Sequence, residues 1–154
     1  MLETTDNILI ESLTEAFETM AFMTVMPPED ELPEPSDCVR VEMSFTGPSS
    51  GTVELMAGDD FISLLAANVM GMDTEETEAH LKGIDAFKEL LNTTCGVLLP
   101  RLATAETDVF DVTVPSSESF PDDPQAWQSF VKDSAVTILD VDDNPVAVRM
   151  TDDD

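Results

Sequence analysis

The sequence predicts an α+β fold: long helices packed on one face of a largely antiparallel sheet, with a pseudo-two-fold internal repeat. Three observations carry this. Two long segments, 6–23 and 75–103, place apolar residues at helical spacing. Paired segments between and after them alternate apolar and polar residues and are joined by turn residues. The order is helix, strand, strand, helix, then helix, strand, strand, strand.

In the first helix Asp6 is a plausible N-cap, and Leu9, Ile10, Leu13, Phe17, Met20 and Ala21 form the apolar face. The four prolines and four acids of segment 27–35 make it a loop. Val39, Val41, Met43 and Phe45 then alternate with polar residues as a half-buried strand. The turn 47–51 leads to a second strand carrying Val53 and Leu55, completing a hairpin. Asp59 or Asp60 caps a short helix with Phe61, Leu64, Leu65 and Val69, closed near Gly71. Within 75–103, Gly83 argues against an unbroken helix, and Pro100 should bend or end its last turn. Phe110, Val112 and Val114 alternate as a strand, 115–124 reads as a polar loop, and a short piece surrounds Trp127 and Phe130. Strands at 134–141 and 145–150 flank the turn signal Asp142-Asp143-Asn144-Pro145. Residues 1–150 form one domain, and 151–154 read as a disordered acidic tail.

Composition narrows the function. The chain has 154 residues, 42% of them hydrophobic, enough for a real core. Its net charge is −27, from 33 acidic and 6 basic residues. No Lys/Arg cluster can neutralise phosphates, which excludes nucleic acid and disfavours anionic membrane surfaces. The acidity itself reads as a solubilising surface or one suited to a salty habitat. No apolar run is long enough to span a bilayer, and the first residues lack the basic region of a signal peptide. Cys38 and Cys95 form no metal or redox motif. They read as buried free thiols in a reducing compartment, which fits a cytoplasmic location. The sequence holds no zinc signature, phosphate loop or Ser-His-Asp arrangement, and its acidic runs lack the spacing of a calcium loop.

The residues that point to chemistry lie at 82–96. At about 100° per residue, Asp85, Glu89, Asn92 and Gly96 share one side of the helix. Phe87, Leu90, Leu91, Cys95, Leu98 and Leu102 lie opposite and can face a core. Exposed helix faces are usually polar, so the row could be mere solvation. Gly96 argues otherwise, because a mid-helix glycine costs about 1 kcal/mol without a functional or packing reason. His80, Lys82, Lys88 and Arg101 border the row; they could ease docking of an acidic partner or simply pair within the helix, as Glu78 with Lys82.

The first helix overlays this one without gaps: Glu11 on Asp85, Glu15 on Glu89, Glu18 on Asn92 and Phe22 on Gly96. The carboxylates are shared. The neutral carboxamide and the bare glycine belong to the second helix alone.

The pattern Asp85-x3-Glu89-x2-Asn92-x3-Gly96 resembles the signature of the CheC/CheX/FliY family of bacterial chemotaxis phosphatases, and is closest to the CheX kind with one active helix. That resemblance implies a CheC-like fold and a phosphatase acting on the aspartyl phosphate of a CheY-like receiver domain. Asn92 would position the attacking water, and Glu89 would dock on a lysine of the receiver. Asp85, Lys88 and Gly96 would contact the partner. No cofactor of the chain's own is implied, since the receiver would supply Mg²⁺. A homodimer is also implied as possible. The alternative reading is a non-catalytic module of the same fold that binds a receiver or a flagellar-motor partner. The first helix should be silent, because Glu18 would set a carboxylate against a phosphoryl dianion and Phe22 would obstruct approach.

Overall fold

The computed structural model describes residues 5–29, 31–75, 78–105 and 107–152. Among these residues the sheet has seven strands: β1 (Val25–Met26), β2 (Cys38–Thr46), β3 (Gly51–Gly58), β4 (Asp111–Val112), β5 (Ser116–Phe120), β6 (Thr137–Val141) and β7 (Asn144–Asp152). Their spatial order is β1-β6-β7-β3-β2-β4, with β5 also paired to β2, and every pairing is antiparallel. Helices α1 (Thr5–Ala16), α2 (Asp59–Met70) and α3 (Ala79–Leu102) cover one face, and the short α4 (Pro124–Val131) covers the other.

Strand periodicity divides the two cores. Val39, Val41, Met43 and Phe45 of β2, with Val53, Leu55 and Ala57 of β3, point toward α1–α3. Cys38 and Met56 point the other way and meet Trp127 and Phe130 of α4. Both thiols are buried and free, and burial pushes Cys38 up to about 11 and Cys95 up to about 12. Both therefore remain protonated and unreactive near neutral pH.

On the α4 face one buried acid organises the cations. Glu54, 6% exposed, accepts from Arg149 at 2.7 and 2.9 Å and lies 3.9 Å from Arg40. Arg149 also reaches Asp133 and stacks 4.6 Å from the Phe130 ring centre. Burial works against the Arg149 charge, but the Glu54 and Asp133 carboxylates outweigh it and hold its pKa above the ordinary value. Changing Glu54→Gln keeps the shape and removes the charge, so unfolding free energy in a urea titration should fall by about 1–2 kcal/mol.

Several expectations need correcting. The first helix leaves α-geometry at Ala16 and continues as a π-helical turn, Phe17–Ala21. Phe22 follows in the left-handed region (φ 56°) and is 79% exposed. Gly83 does not break α3; it lets α3 pack closely on Ile62 of α2. Pro100 lies in the last turn of the helix, which stops two residues later at Leu102. The expected strand 110–114 shrinks to Asp111–Val112, with Val112 and Val114 exposed. Ser116–Phe120, read as loop, is an edge strand on β2. Thr151 and Asp152, placed in a disordered tail, pair with Thr52 and Gly51; residues 153 and 154 lie outside the described residues.

Candidate functional site

A chain of aromatic contacts sets how α3 presents itself. Phe17 from the π turn meets Phe61 of α2 edge-on with centroids 5.9 Å apart, and Phe61 meets Phe87 of α3 at 6.4 Å. Phe87 is completely buried, and so are Leu90, Leu91 and Leu98. Once that side is anchored, helical geometry turns Asp85, Glu89, Asn92 and Gly96 to solvent. All four are exposed and Lys88 is half-buried. Leu102, expected on the core side, is half-buried at the helix end.

Among the described residues, the side chains of Asp85, Lys88, Glu89 and Asn92 make no hydrogen bond or ion pair. A carboxylate and a carboxamide one turn apart are therefore both available to a partner. An Asn side chain offers two donors and an acceptor without charge, which suits it to orient a water molecule. The row spans about 16 Å of a convex helix surface. The row by itself is convex and encloses nothing.

Among the described residues nothing gives Gly96 a packing reason. A Cβ built there meets nothing within 4 Å. Beside it opens a groove of about 730 Å³, between the C-terminal half of α3, Met43 of β2 and residues 103–105 and 108–112. Asn92 and Gly96 stand on its wall, and Cys95 and Leu99 lie deeper. Leu81, 66% exposed near the other end of the row, and this groove were both missed by sequence reasoning. Leu81 could have been found by extending the row one turn backward. The groove could not, because it forms only where the end of α3 and the segment after it fold back over Met43 of the distant β2.

The basic residues divide differently from expectation. Arg101 donates to Glu15 of α1 at 2.9 Å, and the His80 ring lies 3.2 Å from Asp59 of α2. Both serve helix packing. Lys82 forms no ion pair with Glu78 among the described residues, so Lys82 and Lys88 are the cations left beside the row. Among the described residues no group of three or more His, Cys, Asp or Glu side chains is placed to hold a metal, and no helix is long and apolar enough to cross a membrane.

The first helix does not duplicate this geometry. Its overlay on α3 breaks at the π turn Phe17–Ala21, after which Phe22 sits in the left-handed region, while its counterpart Gly96 lies within a helix. Glu15, the counterpart of Glu89, is tied to Arg101.

The model of the family described as "Chemotaxis phosphatase CheX" matches residues 39–118, more than half of the chain. The chain belongs to the CheX family. The chemotaxis protein CheX of Vibrio vulnificus has a similar structure, with a TM-score of 0.70 at 15% identity, covering 98% of this chain and 97% of that one. The CheX of Desulfovibrio desulfuricans matches with a TM-score of 0.69 at 12% identity, over 97% and 99%. A CheX–CheY–BeF3–Mg²⁺ complex from Borrelia burgdorferi matches with a TM-score of 0.69 at 15% identity, over 98% and 99%. At these identities the likeness concerns the fold: a CheX-family α+β layer with its long helices on one face of an antiparallel sheet. No curated protein matches by sequence.

Proposed function

We propose that this chain hydrolyses the aspartyl phosphate of a CheY-like receiver domain. The observation that carries the reading is the pair Glu89 and Asn92, exposed and unpaired on the outward face of α3 in a CheX-family chain. The Borrelia burgdorferi relative is in complex with CheY, which supports a receiver as partner. Hydrolysis of an acyl phosphate needs a water in line with the leaving oxygen and cations on the equatorial oxygens. Asn92 holds the water, and being neutral it can approach a phosphoryl dianion. The receiver supplies the acyl phosphate and the Mg²⁺. Glu89 pairs with a lysine of the receiver and fixes the register in which α3 enters. Asp85 and Lys88 contact the partner at the edge of the row, and Gly96 admits its backbone.

Phosphate release from an acetyl-phosphate-charged receiver tests this. Asn92→Ala should lower turnover about a hundredfold with little change in receiver affinity, on the scale of losing one positioned polar group. Glu89→Ala should weaken both affinity and turnover. Equal rates in the wild type and both variants would sink the reading. Saturable receiver binding with no acceleration by the wild type would favour the non-catalytic module.

A further inference from the structure

We infer that the groove beside Asn92 and Gly96 is a second half of the receiver-docking surface, taking an apolar loop or helix end of the receiver while the Glu89/Asn92 row addresses the phosphoryl group. This rests on the proposed function. Three observations carry it.

The first is charge. In a protein of net charge −27, the groove wall among the described residues carries one acid, Asp108. That carboxylate is turned onto its own loop, accepting from the Thr104 amide at 2.8 Å, the Ala105 amide at 3.0 Å and the Thr104 hydroxyl at 3.1 Å. Those bonds, the Thr104 amide foremost, hold its pKa below the usual carboxylate range. Among the described lining residues, the groove therefore sets a single, self-engaged carboxylate against an incoming partner.

The second is exposed apolar surface. Val109 is 74% exposed and Val112 48% exposed, both on the groove wall, while Phe110 is held against Phe45 with ring centroids 6.0 Å apart. Val109 and Val112 contribute nothing to the core, so the fold alone does not explain two valines at these positions.

The third is the backbone at Gly96. Pro100 has no N–H and so cannot donate to the carbonyl four residues back, which is that of Gly96. An exposed residue with no side chain thus also presents a carbonyl stripped of its helical donor, at the point where the row meets the groove. A partner N–H can come close enough to use it. Continuity with the row selects the receiver over a second copy of this chain as the occupant.

The test uses Val109→Asp and Val112→Asp, whose exposure leaves folding intact; far-UV circular dichroism and thermal melting should match the wild type. With acetyl-phosphate-charged receiver, KM should rise about tenfold or more for each, as expected when a charge enters an apolar contact. Turnover at saturating receiver should stay near that of the wild type, because Glu89 and Asn92 are untouched. Binding to the charged receiver, measured with each substitution placed in an Asn92→Ala background, should weaken in parallel. Unchanged KM and unchanged binding would overturn the inference. If instead the substitutions abolish self-association in sedimentation while receiver affinity is unchanged, the groove is a homodimer surface and the inference is equally overturned. Wild-type turnover by Asn92→Ala would count against the proposed function alone, since the binding measurements still judge the groove.

Discussion

The substitution Asn92→Asp should cut receiver dephosphorylation by about a thousandfold while leaving the fold intact. The residue is exposed on the outer face of α3 and makes no side-chain hydrogen bond among the described residues, so an isosteric change has no structural partner to disturb. The loss is electrostatic. Two unit charges 4 Å apart repel by about 4 kcal/mol at an effective dielectric constant near 20, and each 1.36 kcal/mol on a barrier is tenfold in rate. A phosphoryl dianion makes this a lower bound before Mg²⁺ screens it. The sign with pH separates this cause from a loss of shape. Nearby negative charge raises the pKa of the introduced carboxyl, and its protonated form is neutral like the carboxamide. Lowering the pH should therefore recover part of the acceleration over receiver alone, which Asn92→Ala should not show. A pH-independent deficit in Asn92→Asp would remove the charge explanation.

What could be read from sequence about this helix is its apolar side. Which side of α3 faces out is dictated by Phe87, Leu90, Leu91 and Leu98, and that pattern is local. So are the alternating runs of β2 and β3 and the turn at Asp142–Asp143, where both residues adopt positive φ as a two-residue hairpin loop requires. The failures are places where a tertiary partner decides. Ser116–Phe120 lacks apolar alternation, and becomes a strand because β2 has an open edge and Arg40 reaches Glu118 at 2.7 Å. Val112 and Val114 alternate correctly yet stay exposed, since no layer covers that edge. The apparent repeat between the two long helices breaks at a π turn that no residue of Phe17–Ala21 announces. Its consequence lies at Phe22, which follows the turn in the left-handed region, whereas Gly96 continues a helix.

Two glycines on α3 should respond in opposite directions to the same change. At Gly83 a Cβ would press on the carbonyl oxygen of Ile62 and lie 2.6 Å from its Cγ2 and 2.8 Å from its carbonyl carbon. Two of those neighbours are backbone, so α2 and α3 must separate, and α2 carries Phe61, the ring joining Phe17 to Phe87. Overpacking of this kind costs about 1–3 kcal/mol and occasionally more, against a gain of up to about 1 kcal/mol for replacing a helical glycine. For Gly83→Ala we expect a net loss of about 2 kcal/mol, read as a fall in Tm of roughly 4–8 °C. At Gly96 the added methyl meets open space, so Gly96→Ala should gain up to about 1 kcal/mol and raise Tm by roughly 2–4 °C. If Gly96 is bare to let the receiver approach, that more stable variant should be the poorer phosphatase, and Gly96→Leu, which projects beside the groove, poorer still. Calorimetry and phosphate release on the same samples decide it. A Gly96→Ala protein both more stable and fully active would leave the glycine without a role in docking, while a Gly83→Ala protein as stable as the wild type would mean that α2 and α3 can move apart at no cost.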